Sequence, residues 1–177
     1  MIVRRVDAHR LTALRGELAD LLTGVVAGGA SVGFLAPLDR DHALAWWRAR
    51  LRAVAAGELA VWVAQEGGRV CGTVSLALPD KPNSRHRAEL VKLMVSPAVR
   101  GRGVGRRLLN AAEESAAGAG LTLLHLDTET GSPAEHLYRS AGWTEAGTIP
   151  GYAADPGGAL RPTTLYYKRI GGPSAGG

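Results

Sequence analysis

The stretch Arg100-Gly101-Arg102-Gly103-Val104-Gly105 constrains this chain more than any other. It follows an apolar β-rich run ending at Val95 and opens an amphipathic run from Val104 to Ala117. Glycines at every second position punctuate the chain between these periodic segments, so the stretch reads as strand, turn, helix. Free backbone N–H groups at such a helix start, with a dipole worth about half a positive charge, form an anion site. Glycines let the backbone approach the anion closely, and Arg100, Arg102, Arg106 and Arg107 add positive charge. A pyrophosphate suits this description. A P-loop would need Gly-Lys-Ser/Thr after four intervening residues, which is absent, and the dinucleotide fingerprint fails because its last glycine falls on Arg106. A turn that binds nothing would leave the arginines poorly motivated beside a positive helix end.

Periodicity places the other elements around this turn. Ile2 to Val6 reads as a strand, and Asp7 caps a helix from Ala8 to Val26 with Leu11, Leu14, Leu18, Leu21 and Leu22 on one face. A loop from Ala30 to Leu38 leads to a second helix, Asp41 to Ala56, with Leu44, Trp47, Leu51 and Val54 at helical spacing. Leu59 to Gln65 and Arg69 to Leu78 form a hairpin through Glu66-Gly67-Gly68. His86 to Val95 alternates, with Ala88, Leu90, Lys92 and Met94 on one side and Glu89, Val91, Leu93 and Val95 on the other. Leu121 to Asp127 is an apolar strand, and Pro133 suits the first turn of a helix reaching Ala141. Trp143 to Ile149 and Thr163 to Lys168 finish as strands, separated by a Pro/Gly-rich loop. The order predicts an α/β (α+β) fold of seven strands and four helices, mostly antiparallel at first and ending in a strand–helix–strand crossover. Residues 1–170 are expected to form one domain, with 171–177 a disordered tail.

Composition narrows the partners. The net charge of +5 favours an anionic partner, but the charge is dispersed with no basic arm, so nucleic acid is not expected. Cys71, the lone cysteine, permits no internal disulfide and sits in a strand as a small hydrophobe. Five histidines share no ligand spacing, and no metal is expected. The N-terminus lacks an apolar signal core and no run approaches a membrane span, which points to a cytoplasmic protein without a membrane partner.

Arg100 to Gly105, as R-x-x-G-x-G, resembles the pyrophosphate-binding motif of the GNAT N-acetyltransferases. Gly131-Ser132-Pro133-Ala134-Glu135-His136-Leu137-Tyr138-Arg139-Ser140-Ala141-Gly142-Trp143 resembles that family's N-x-x-A-x-x-L-Y-x-x-x-G-F segment, with Gly131 replacing the asparagine. The resemblance implies the GNAT fold, a central mixed, mostly antiparallel sheet, and acetyl-CoA as co-substrate. It implies that Leu93, Met94, Val95, Arg100, Gly101, Arg102, Gly103, Val104, Gly105 and Arg106 bind the cofactor, with Ser132 taking over the missing asparagine's contact to the pantetheine arm. Three further segments, Glu89–Val95, Leu124–Glu129 and Ile149–Ala153, resemble the tabtoxin-resistance branch of the family. That implies a small-molecule acceptor with a primary amine, amino-acid-like or an antibiotic or toxin, and direct transfer in a ternary complex. A protein N-terminus or lysine as acceptor, or a non-catalytic acetyl-CoA-sensing or RNA-binding module, remain alternatives. A homodimer is compatible with the family.

The chemistry needs a proton taken from an ammonium, a polarised carbonyl and a stabilised thiolate. Deprotonating an alkylammonium of pKa about 10 at neutral pH costs roughly 4 kcal/mol, which a carboxylate can relay. Glu89 matches an acidic residue proposed as base in the tabtoxin-resistance pattern, and Asp127, at the end of an apolar strand, is the second candidate. Tyr138 stands where the family places a tyrosine near the CoA sulfur, ready to protonate the thiolate. Backbone N–H groups at Met94 or Val95 would polarise the carbonyl. His125 is expected to be structural, Trp46 core and Trp47 rim, and one of these tryptophans, or Tyr152 in the late loop, to border the acceptor.

Overall fold

Asp7 opens the first helix by accepting the Arg10 N–H at 2.7 Å, as an N-cap should. The computed structural model describes residues 1–171, so the expected disordered tail lies outside the described residues beyond Gly171. Strand β1 (Ile2–Val6) leads into α1 (Ala8–Ala27) and α2 (Arg40–Ala55). Asp39, not foreseen as a cap, starts α2 by accepting the His42 N–H at 2.8 Å. Then come β2 (Leu59–Glu66), β3 (Arg69–Ala77), β4 (Arg87–Val95), α3 (Val104–Gly118), β5 (Leu123–Glu129), α4 (Pro133–Ser140), β6 (Thr144–Ala154) and β7 (Leu160–Arg169).

The strands form one seven-stranded sheet in the order β1-β2-β3-β4-β5-β7-β6, with β4 and β5 the parallel pair and the others antiparallel. This is the expected fold class, crossover included. One core lies between the sheet and α3 with α4, around Leu108, Leu109, Leu124 and Tyr138. The other lies under α1 and α2, around Leu11, Leu18, Leu22 and Trp47. Each fully buried leucine contributes roughly 1.5–3 kcal/mol relative to exposure. No helix among the described residues is long and apolar enough to cross a membrane.

Four sequence expectations are corrected. The assignment of Trp46 to the core and Trp47 to the rim is reversed. Trp47, one turn from buried Ala43, is 1% exposed, while Trp46 is only half-buried. The strand read as Leu121 to Asp127 runs from Leu123 to Glu129, so Asp127 lies inside it, opposite Leu165. The late loop is shorter than expected, because β6 continues to Ala154 with an irregularity between Ile149 and Ala153. Tyr152 is therefore a strand residue. Pro150 is tolerated there because β6 is the edge of the sheet.

The fourth correction bears on the site. Strict alternation along β4 fails at Lys92. Ser75 faces Val91 and Thr73 faces Met94, so β4 carries one residue more than β3 across this span, a β-bulge. Lys92 takes a left-handed conformation, φ 55°, unusual for a residue with a side chain. Beyond it Met94 joins the core under α1 and α2, while Leu93 and Val95 pack toward α3.

Candidate active site

β4 and β5 run side by side for only three pairs, Arg87 with Leu123, Ala88 with Leu124 and Glu89 with His125, and then splay apart. The bulge lies on β4 just beyond the last pair. On the far side β5 remains paired with β7 as far as Glu129. Backbone groups of Leu90 to Val95 on the β5 side therefore have no ladder partner in β5, an open edge that an extended amide-bearing ligand can complete. A cavity of about 880 Å³ occupies this wedge, within the usual size range of ligand pockets.

The glycine-rich turn closes one end of the cavity, which Arg100, Gly101, Gly103, Val104, Gly105 and Arg106 line. Its glycines serve two different ends. Gly101 and Gly103 adopt positive φ, 75° and 76°, and Gly103 is the left-handed N-cap residue of α3. Gly105 instead permits close packing, since a Cβ there would stand 3.0 Å from Leu137 Cδ2. The helix ladder begins with the Arg107 N–H donating to the Gly103 carbonyl at 3.1 Å. The amides of Val104, Gly105 and Arg106 thus precede the helix's own bonding and stand at the cavity wall with the positive end of the dipole.

The arginines divide. Arg100 and Arg106 line the cavity, and Arg106 also donates to Ser140 Oγ at 2.5 Å. Arg102, expected to bind the cofactor, does not line it. Its guanidinium is held by Glu66 at the β2–β3 turn through contacts of 2.6 and 3.0 Å. A two-pronged pair with a carboxylate satisfies the fork that a phosphate would otherwise engage.

Leu93, Met94, Val95, Ser132, Asp127 and Tyr138 all border the same cavity. Ser132 is the N-cap of α4, its Oγ accepting the Glu135 N–H at 3.3 Å and lying 3.3 Å from Thr128 Oγ1. Tyr138 is 5% exposed and packs against Trp143 and Tyr166. Its hydroxyl forms no hydrogen bond with another described residue, yet it is not sealed from solvent. Burial pushes the phenol well above its ordinary pKa, with the Asp127 charge adding to the effect. It therefore holds its proton at neutral pH, as a proton donor must.

Glu89 does not line this cavity. It is half-buried on β4, opposite Ala77 on one side and His125 on the other. Residues paired across strands share a sheet face, so Glu89 shares the α1–α2 face with Val91, His125 and Asp127. Glu89 forms no ion pair with Arg85 or Arg87 among the described residues. Arg87 Nη1 lies 2.6 Å from His125 Nε2 instead. His125 is half-buried, with burial lowering its pKa first, Glu89 and Asp127 opposing and Arg87 assisting.

α4 is anchored from behind by Glu135, 3% exposed. Its carboxylate accepts the Gly131 N–H at 2.6 Å, the Tyr166 hydroxyl at 2.8 Å and an Arg139 N–H at 3.2 Å. Burial pushes this carboxyl up, but those hydrogen bonds and the Arg139 charge outweigh it, and its pKa lies below the ordinary value. The cluster holds the helix that carries Tyr138.

Sequence reasoning overlooked Lys92. Its ammonium donates to the Val32 carbonyl at 2.7 Å and lies 5.6 and 5.7 Å from the Trp46 and Phe34 ring centres. Its neighbours come from segments far apart in sequence, and the only local signal was a charged residue in an apolar strand. Tyr152 also lines the cavity, so its candidacy as an acceptor-side residue stands although its element changed.

The sequence profile of the Acetyltransferase (GNAT) family matches residues 22–143. An IAA acetyltransferase from Azospirillum brasilense is 31% identical over 126 residues, 71% of this chain and 77% of that protein. The crystal structure of a ribosomal-protein-alanine N-acetyltransferase from Brucella melitensis superposes with a TM-score of 0.74 at 25% identity, covering 96% of this chain and all of that one. A phosphinothricin acetyltransferase from Sinorhizobium meliloti, solved in complex with acetyl-CoA, shares the fold with a TM-score of 0.79 at 18% identity, covering 99% and 91% of the two chains. The profile takes in both the glycine-rich turn and the Tyr138 helix, and by that match the chain belongs to the GNAT family of N-acetyltransferases.

Proposed function

We propose that this enzyme transfers the acetyl group of acetyl-CoA directly to a primary amine of a small molecule. The observation that carries the reading is the splayed β4–β5 wedge, which has the α3 N-terminus at one wall and the unpartnered Tyr138 hydroxyl at another. The residues present suit acetyl-CoA. The Val104, Gly105 and Arg106 amides with Arg100 and Arg106 receive the pyrophosphate, as at other helix N-termini. The open edge of β4 at Leu93 to Val95 pairs with the amides of the pantetheine arm, and the Met94 or Val95 N–H polarises the thioester carbonyl. Ser132 contributes its hydroxyl where the family's asparagine is missing. The Arg102 guanidinium takes no part.

Asp127 is the preferred base because it borders the wedge, with Glu89 behind it on the same face. Either carboxylate accepts the ammonium proton, directly or through one water. The amine nitrogen attacks the thioester carbon, the C–S bond breaks, and Tyr138 delivers its proton to the departing thiolate.

A small acceptor is favoured over a protein because the acceptor side is roofed. The loop from Ala30 to Gly33 borders the wedge, and farther along this loop the Ala36 N–H donates to the Pro156 carbonyl of the β6–β7 turn at 2.8 Å. A polypeptide would need an open groove there. The resemblance of Glu89–Val95 and Ile149–Ala153 to the tabtoxin-resistance branch also supports an amino-acid-like acceptor. Calorimetric titration with acetyl-CoA, then thiol release over a panel of amines, tests the reading. Micromolar or tighter binding with turnover is expected. Absence of binding removes the cofactor assignment, and binding without turnover on any amine favours a sensor.

A further inference from the structure

A second cavity, of about 730 Å³, adjoins the first and shares Gly33, Val91 and Lys92 with it. Its walls include Phe34, Trp46, Arg50, Glu58, Ser75 and Lys92. Two cations therefore stand in one small space. The Arg50 guanidinium carbon lies over the Trp46 ring, 3.7 Å from its centre, with one N–H donating to the Trp46 carbonyl at 3.1 Å. Lys92 reaches in from the bulge toward the same ring. Both are half-buried, and burial lowers the pKa of each.

Neither cation has a carboxylate partner among the described residues. The arginines and lysines that do pair, at Arg40, Arg102, Arg139, Arg161 and Lys168, find their acids elsewhere. Glu58 is an exposed residue of the cavity lining and forms no ion pair with either cation. Partly desolvated, unpaired charge is costly, and two like charges facing one cavity compound the cost. An anion entering the cavity would relieve both. Apart from Glu58 no acid lines the outer cavity, whereas Asp127 lines the wedge and Glu89 shares its sheet face, both close enough for their charges to act on the Lys92 ammonium. The space from Arg50 across Lys92 to Asp127 is thus polarised, cationic at the outer end and anionic toward the wedge.

We infer that the outer cavity seats a carboxylate of the acceptor, gripped by Arg50 and Lys92, so that the substrate is a zwitterion whose amine points inward to Asp127. Phe34 and Trp46 supply the apolar wall for its body. This rests on the reading of the enzyme as a small-amine acetyltransferase and restricts it to carboxylate-bearing amines. Plain alkylamines and polyamines, which bring only positive charge, are disfavoured by the same two cations.

Product-like ligands test the site without requiring turnover. N-acetyl derivatives of the twenty common amino acids, and the corresponding C-terminal amides, are titrated calorimetrically into the full chain and into Arg50→Gln and Lys92→Met. For at least one side chain the acid is expected to bind the parent at least tenfold more tightly than its amide. That preference should fall by tenfold or more in each variant, a charge-assisted pair being stronger than a neutral one. Arg50→Gln should keep its acetyl-CoA affinity within twofold. Equal affinities for acids and amides in the parent, or a preference that survives Arg50→Gln, overturn the proposal. Should Lys92→Met fail to fold, Arg50→Gln alone decides. A parent that binds the acids but not acetyl-CoA leaves the anion site standing and removes the cofactor assignment, so the two failures are distinguishable.

Discussion

The two cavities that meet at Lys92 are built from different material. The inner wedge is made largely of backbone: splayed strand edges, three helix amides, and glycines that tolerate positive φ or close packing. The outer cavity is lined by side chains from the loop after α1, from α2, from the start of β2, and from β3 and β4, two cations and two aromatic rings among them. A backbone site recognises what every member of a family must bind, since exchanging a side chain does not erase it. A side-chain site can be rewritten one residue at a time. The difference teaches where common chemistry and individual specificity are stored.

The sharpest way to test this division is at a wedge side chain that bears on chemistry rather than on cofactor binding. Tyr138→Phe removes the proposed proton donor and should lower kcat about 100-fold while leaving the acetyl-CoA Kd nearly unchanged, as read by thiol release and calorimetry. An unchanged kcat would make Tyr138 a packing residue and leave protonation of the thiolate to another group. Glu135→Gln comes next, because it withdraws a buried carboxylate from the group that fixes α4. It should cost about 1–3 kcal/mol by leaving partners poorly satisfied. The carboxyl's folded pKa is depressed, so its advantage over glutamine is present above the ordinary glutamate value. It is lost as pH falls through the folded value, and denaturant midpoints taken from neutral to acid pH should converge.

Gly103→Ala addresses the backbone directly. A side chain forced into left-handed φ costs about 1–2 kcal/mol and should lower Tm by roughly 2–8 °C, with weaker acetyl-CoA binding. The smallest effect is expected from Arg102→Ala. With its guanidinium committed to Glu66, its loss should change the acetyl-CoA Kd by less than twofold, against several-fold for Arg100→Ala. Equal losses would mean that side-chain charge matters more to the wedge than its amides.

The same division explains what was legible in the sequence. Element order, both motifs and the Asp7 cap could be read because each is a local pattern, of apolar period or of glycine placement. Tyr138 and the turn glycines came from motifs of that kind. The bulge at Lys92 could not be read, because apolar alternation resumes on either side of one extra residue and only the register against β3 reveals the slip. Trp46 and Trp47 were exchanged because adjacent tryptophans fit one apolar stripe in either order, and packing one turn from Ala43 decided for Trp47. Arg102 looked like a phosphate ligand until the β2–β3 turn supplied Glu66, 36 positions away in sequence. Arg50 and Lys92 lie on elements separated by the whole β2–β3 hairpin, and nothing local announced that they share a cavity.

The extra residue in β4 also bears on which length changes the protein can absorb. With Lys92 deleted, Val91 and Leu93 would become successive residues of a regular strand. Leu90, Leu93 and Val95 would still face α3, and Val91 and Met94 would still face α1 and α2. Both cores would survive, relieved of a left-handed residue that costs about 1–2 kcal/mol. What would vanish is the kink just beyond the last β4–β5 pair, together with a cation of the outer cavity. Most single-residue deletions within a strand turn a sheet inside out. At this position a deletion would restore regularity instead and leave a fold without its cleft, so an insertion of one amino acid separates a stable sheet from a sheet with a site.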